Sequence, residues 1–146
     1  MSAGRYIHAS AIHIGGRGIL IEGPSGAGKS TLAAMLIEAG TARGLFCALI
    51  GDDRVALHRH GGRLIVSSHP AIAGRLEYRG LAILPMPSLP ASIAWGLVSI
   101  GDKAPRLPDE TETFIEREGV QLRHLRLDAA QDAALRLHLA LAWLRA

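Results

Sequence analysis

A chain of 146 residues with 49% apolar side chains can bury one sizeable core and is short for two ordinary domains, so one compact domain over residues 1–146 is expected. Aromatic residues make up only 4%, too few to stack a run of bases, and the sixteen Lys and Arg behind the formal charge of +3 are scattered along the chain. No nucleic-acid surface and no polybasic membrane patch is expected.

From Tyr6 to Glu22 the pattern predicts a β-hairpin, "YIHASAIHI" and "ILIE" joined by the turn "GGRG". The N-terminal stretch alternates where a signal peptide would be continuously apolar, and no segment reaches the roughly 18 apolar residues of a membrane span. "GPSGAGKST" follows, and from Lys29 to Ala39 apolar residues at Leu32, Met35, Leu36 and Ala39 carry a helical spacing, with Gly40 standing where a helix stop is expected. The run "LFCALIGDD" predicts a buried strand that delivers two acids at its C-terminal end. Cys47, the single cysteine, lies inside it, which excludes an internal disulfide and points to a buried structural thiol. Nothing calls for an oxidising compartment, and a cytoplasmic location is expected.

"RVALHRHGGRLIVSS" predicts a second hairpin turning at Gly61 and Gly62. The prolines of "LPMPSLPAS" argue against helix between Leu84 and Ser92. "IAWGLVSI" is a strand, "GDKAPRLPDE" a polar loop and "VQLRHLRLD" an alternating strand. From Ala129 onward, Ala130, Ala133, Ala134, Leu137, Leu141 and Leu144 mark an amphipathic closing helix.

A glycine-rich segment between a strand and a helix has the architecture of a phosphate cradle, because its amide hydrogens converge on an anion with the helix N-terminus behind them. Gly23, Gly26 and Gly28, with Pro24, Ser25 and Ala27 between them, can wrap closely around a phosphate, Lys29 adds a mobile positive charge, and Ser30 and Thr31 open the helix. Ser30 offers a hydroxyl to Mg²⁺, a cation that prefers oxygen ligands. Asp52 and Asp53 follow the next strand; one acid at such a place commonly helps hold Mg²⁺, and its neighbour is then available to a phosphoryl acceptor. A GTPase reading fails because the chain holds no "NKxD" element and no aspartate followed by a two-residue gap and glycine. The spacing of His58, His60 and His69 invites a zinc reading, which exposed hairpin histidines explain better.

Taken with His8 and the octet "LEYRGLAI", the loop "GPSGAGKS" and the acids of "GDDRV" make the chain resemble the catalytic domain of HPr kinase/phosphorylase, in the short form without the separate N-terminal domain. The resemblance runs from about Ile7 to Arg106. It implies an α/β fold shared with phosphoenolpyruvate carboxykinase, a mixed β-sheet with the loop helix and a C-terminal helix. It further implies ATP and Mg²⁺ as cofactors, HPr as the protein partner phosphorylated on a seryl residue, the reverse phosphorolysis, and compatibility with a homo-oligomer. The family's catalytic histidine lies on the first strand fifteen residues ahead of the loop, which is the spacing of His8 to Gly23. By the same resemblance Asp53 is the general base, Asp52 a metal-supporting acid, Glu77 a Mg²⁺ ligand, Arg79 its structural or phosphate-facing companion, and Arg106 the late catalytic arginine, acting with Lys29 on the transferring group.

Ala82 departs from the family's usual glycine, about six extra residues around "TARGLFC" precede the acids, and "PMPSLPAS" replaces the glycine-containing segment that engages the protein substrate. Two other function classes remain beside the leading one: a P-loop kinase of a small hydroxylated metabolite, and a nucleotide-sensing module without turnover.

Overall fold

The computed structural model describes residues 5–69, 75–78, 82–102 and 113–145. Strands β1 (Arg5–Ile7), β2 (Ser10–Ile14) and β3 (Arg17–Glu22) lead into helix α1 (Lys29–Ala42), followed by β4 (Cys47–Gly51), β5 (Val55–His60) and β6 (Arg63–Ser68). Then come β7 (Arg75–Tyr78), β8 (Ala82–Pro85), β9 (Ala91–Gly101), β10 (Phe114–Arg117), β11 (Val120–Asp128) and helix α2 (Ala133–Arg145).

One curled mixed sheet carries the order β1-β5-β6-β9-β3-β2-β4, with β11 joining β9 and β10 joining β11, while β7 and β8 form a separate antiparallel pair. The eleven-residue β9 holds the curl together. Its N-terminal part pairs antiparallel with β6, and its remainder lies parallel to β3 on one side and to β11 on the other. Apolar residues alternate to both faces of this sheet, so two cores form. One lies under the helices and contains Ile12, Ile19, Ile21, Leu36, Leu49 and Val98. The other lies inside the curl and contains Ala11, Leu20, Ile50, Leu57, Val66 and Leu97.

The α/β class and the mixed sheet with two helices are as expected; four local readings change. The first predicted strand is two strands. Alternation runs through "YIHASAIHI", but the chain changes partners inside it: β1 pairs with β5, β2 pairs with β3 and β4, and His8 occupies the exposed bend between them. Helix α1 continues past Gly40 to Ala42, because Gly40 is a packing glycine: a Cβ there would meet Cys47 Sγ at 2.5 Å and Ile14 Cδ1 at 2.8 Å. The closing helix begins at Ala133, after a turn in which Asp132 Oδ1 accepts the Leu135 amide hydrogen at 2.8 Å. Strand β10 was absent from the sequence reading; it pairs with β11 across Glu118 and Gly119, both at positive φ, the geometry of a tight hairpin turn.

The proline-punctuated stretch is non-helical in its central part. There Leu49 donates to Pro87 O at 2.7 Å and accepts from Leu89 N at 3.0 Å, which covers the outer edge of β4. Among the described residues no helix is long and apolar enough to cross a membrane.

Candidate phosphate and metal site

Strands β3 and β4 both run antiparallel to β2, so they point the same way, and the segments that follow them meet at one end of the sheet. That geometry brings "GPSGAGKST" beside Asp52 and Asp53, at the C-terminal ends of strands where open α/β sheets gather ligands. Helix α1 starts after Gly28, whose φ of 103° lies in the left-handed region that glycine adopts without strain. The helix has no side-chain cap at this end and no acid in its first turn, so its first amide hydrogens face the loop. Lys29 is nearly buried and folds back, donating to Gly23 O at 2.8 Å and Pro24 O at 3.4 Å.

The two adjacent acids occupy different environments. Asp52 is buried, and its Oδ1 accepts from Ser30 Oγ at 2.6 Å and from Ser10 Oγ at 2.8 Å. Asp53 has φ 62°, turns out of the strand direction and is 65% exposed at the side chain, with its Oδ1 3.4 Å from Lys29 Nζ. Such a contact contributes little stability because one partner is solvated. Its value is geometric: a solvated carboxylate beside the ammonium that folds back onto the loop. Gly26, Gly28, Ser30, Thr31, Asp52 and Asp53 line one open cleft of about 390 Å³, a volume suited to a small polyphosphate ligand.

Ser10, which sequence reading passed over, organises the acids. Fully buried at the start of β2, it donates to Asp52 and accepts the Asp53 backbone N–H at 3.2 Å, so one hydroxyl fixes the turn that separates the two carboxylates. A serine among the apolar positions of "ASAIHI" was the available signal. Arg136 was also missed. It reaches from α2 to the back of the loop, with Nη2 2.9 Å from the point that a Gly28 Cβ would occupy.

His8 does not sit on a strand. The pairing of Ile7 with Val55 places its bend near the segment after Asp53, and its side chain makes no hydrogen bond or ion pair with either acid among the described residues. For Glu77 only the strand backbone of β7 is described; Arg79 and Arg106 lie outside the described residues, as does the loop 103–110. The histidines considered for zinc do not converge. His60 pairs with Arg63 at the hairpin turn, whereas His69 follows the far end of the same hairpin and lies against the Tyr6 ring, tilted to it with centroids 5.3 Å apart. Among the described residues no group of three His, Cys, Asp or Glu could hold a metal ion. Cys47 is buried, as expected, and burial pushes its thiol up, with a Thr41 hydrogen bond acting the other way.

Ser30 and Asp52 present only oxygen donors, which fits Mg²⁺ and not a softer metal, and two protein oxygens are a normal complement for a cation that keeps water and phosphate ligands. The cleft therefore brings together a glycine-rich loop at a helix N-terminus, a hydrogen-bonded pair of oxygens and a separate, solvated carboxylate.

A solved structure of the HPr(Ser) kinase/phosphatase from Coxiella burnetii has this fold, with a TM-score of 0.76 over 97% of this chain and 94% of that one at 20% identity. The HPr kinase/phosphorylase of Clostridium tetani is 41% identical over 96 residues, 66% of this chain and 28% of that protein. That of Mycoplasma mycoides is 30% identical over 142 residues, 88% of this chain and 43% of that protein. The chain thus spans less than half the length of these relatives. The HPr serine kinase C-terminal domain family matches over residues 1–101, the stretch from before β1 to the end of β9 that builds the cleft, and the chain belongs to that family.

Proposed function

We propose that residues 1–146 form one catalytic domain, a cytoplasmic kinase that transfers the γ-phosphoryl group of ATP, with Mg²⁺, to a seryl hydroxyl of an HPr-like phosphocarrier protein, and that can run the reverse phosphorolysis. The observation that carries this reading is the division of labour between the two acids. Asp52 is committed to Ser30 and Ser10, whereas Asp53 stands solvated 3.4 Å from the loop lysine. A nucleotide sensor needs the first acid but has no use for the second.

In this mechanism the loop amides and Lys29 bind the outer phosphates, Lys29 exchanging Gly23 O for a phosphate oxygen. Ser30 and Asp52 would hold Mg²⁺, which when bound neutralises charge on the phosphates. Asp53 accepts the proton of the acceptor hydroxyl as its oxygen attacks the γ-phosphorus and ADP leaves; in phosphorolysis, where inorganic phosphate attacks the phosphoseryl phosphorus and pyrophosphate forms, it gives a proton to the departing seryl oxygen. Removing such a base typically costs about 10²–10⁴ in rate. Glu77 and Arg106 complete the proposed set as a further cation ligand and a charge on the transferring group. By the family resemblance His8, one residue beyond β1, would assist the acidic pair.

The test is incubation of the purified protein with γ-labelled ATP and HPr, followed by a panel of small hydroxylated metabolites. Label on an HPr serine is the expected result. Transfer to a metabolite alone would make the domain a small-molecule kinase, and tight ATP binding with no transfer would make it a sensor.

A further inference from the structure

Arg136 is the buried cation that the proposed mechanism leaves unused. It projects from the first turn of α2, and only 9% of its surface is exposed. Nη1 donates to Ala129 O at 3.1 Å and Gln131 O at 2.5 Å, while Nε is buried with no hydrogen-bond partner. Nη2 lies against Gly28, 2.9 Å from where a Cβ would stand. No described carboxylate forms an ion pair with it; the three described ion pairs involve Arg5, Lys29 and Arg117.

This placement is electrostatically costly as it stands. A buried charge without an opposite charge is strongly disfavoured, and carbonyl oxygens offset only part of the lost hydration. The site is also the N-terminus of α1, where the helix dipole is itself positive and Lys29 adds a second cation. Three positive contributions thus converge on one loop, and the exposed Asp53 carboxylate, 3.4 Å from Lys29, answers only one of them. An anion in the cradle is the group that would relieve all three.

We propose that Arg136 is a positioning residue for polyphosphate: it fixes the back of the loop at Gly28 and supplies a second buried positive charge to the bound phosphates across that glycine, without lining the cleft. The inference rests on reading Gly23–Thr31 as the phosphate cradle. It also assigns α2 a role in ligand binding, because the helix carries the charge and is held at its other end, where Arg17 donates to Leu144 O.

Calorimetric titration with ATP and with inorganic tripolyphosphate, the latter lacking any nucleoside contact, tests this in wild type, Arg136→Met, Arg136→Lys and Lys29→Ala, alongside thermal melts without ligand. Arg136→Met should bind both ligands about 10-fold more weakly, the scale of one unit charge acting at short range in a partly shielded site, and Arg136→Lys should stay within about threefold of wild type. The ligand-free melt of Arg136→Met should be no lower than that of Arg136→Lys, because the uncompensated charge is gone. Arg136→Gln serves the same comparison if the methionine variant does not fold. Wild-type affinity in the neutral variants, with Lys29→Ala weakened, would overturn the role of Arg136 and leave the cradle standing. Equal weakening in the lysine and neutral variants would show that shape, not charge, matters and would also overturn it. Failure of wild type to bind either ligand would remove the cradle and this inference together.

Discussion

The two ends of α1 are built on opposite principles. At the start, Gly28 holds a left-handed backbone, no side chain caps the helix, and the amide hydrogens open onto a polar cleft. At the finish, Gly40 is buried under Ile14 and Cys47, and the Arg43 amide bonds back to Ala39 O and Gly40 O while its Nη1 donates to Ala39 O. One end leaves its backbone polarity available and the other consumes it internally. Glycine is used at both, at Gly28 for a backbone angle and at Gly40 for the absence of a side chain. A functional end of a helix is thus recognisable by what its own chain does not satisfy.

The comparison predicts that substitutions at the first end change chemistry and those at the second change stability. Lys29→Ala should have the largest effect, reducing nucleotide-dependent phosphoryl transfer below detection in the labelled-ATP assay. Unchanged turnover would defeat the kinase reading. Asp53→Asn should lower transfer by about 10² or more while ATP affinity measured by titration stays within a few fold, the signature of a lost general base. If binding collapsed and the rate per bound nucleotide did not, the roles given to Asp52 and Asp53 would exchange. His8→Ala should produce a smaller loss of transfer rate with ATP affinity unchanged; a wild-type rate would make His8 an ordinary bend residue.

What could be read from the sequence divides along similar lines. The glycine-rich turn into α1 was legible because its geometry is local, a run of backbone that needs no distant partner. The acid pair was legible because it ends an apolar strand next to that loop. Ser10 and Arg136 were not, since each reaches the site by pairing or packing across a large separation, 42 residues between Ser10 and Asp52. His8 was placed on a continuous strand because inside–outside alternation does not register a change of neighbours. Gly40 was misread as a stop because a glycine that ends a helix and one that admits a neighbour are the same letter.

At the closed end, Gly40→Ala should destabilise the fold by about 1–3 kcal/mol, the usual penalty for forcing a methyl into packed space. The new Cβ would fall 2.5 Å from Cys47 Sγ and 2.8 Å from Ile14 Cδ1, and neither side chain can yield without disturbing the core under the helices. Denaturant unfolding measures the loss, and ATP titration of the folded variant should match wild type. A stability within about 0.5 kcal/mol of wild type would show that this end is loosely packed, because substitutions away from such contacts usually fall within about that range.

The smallest effect belongs to Cys47, which closes the same end from the sheet side. Burial raises its thiol pKa, so at pH 8 the reactive thiolate is scarcer than in an exposed cysteine, and the sulfur is also shielded from reagent. Iodoacetamide should therefore label the native protein much more slowly than the same protein in denaturant. Saturating ATP should leave the rate nearly unchanged, because Cys47 lies at the end of α1 away from the loop and reports local opening there. Strong protection by ATP would instead mean that nucleotide binding at Gly28 tightens the helix along its whole length, and the two ends, opposite in construction, would then be coupled in motion.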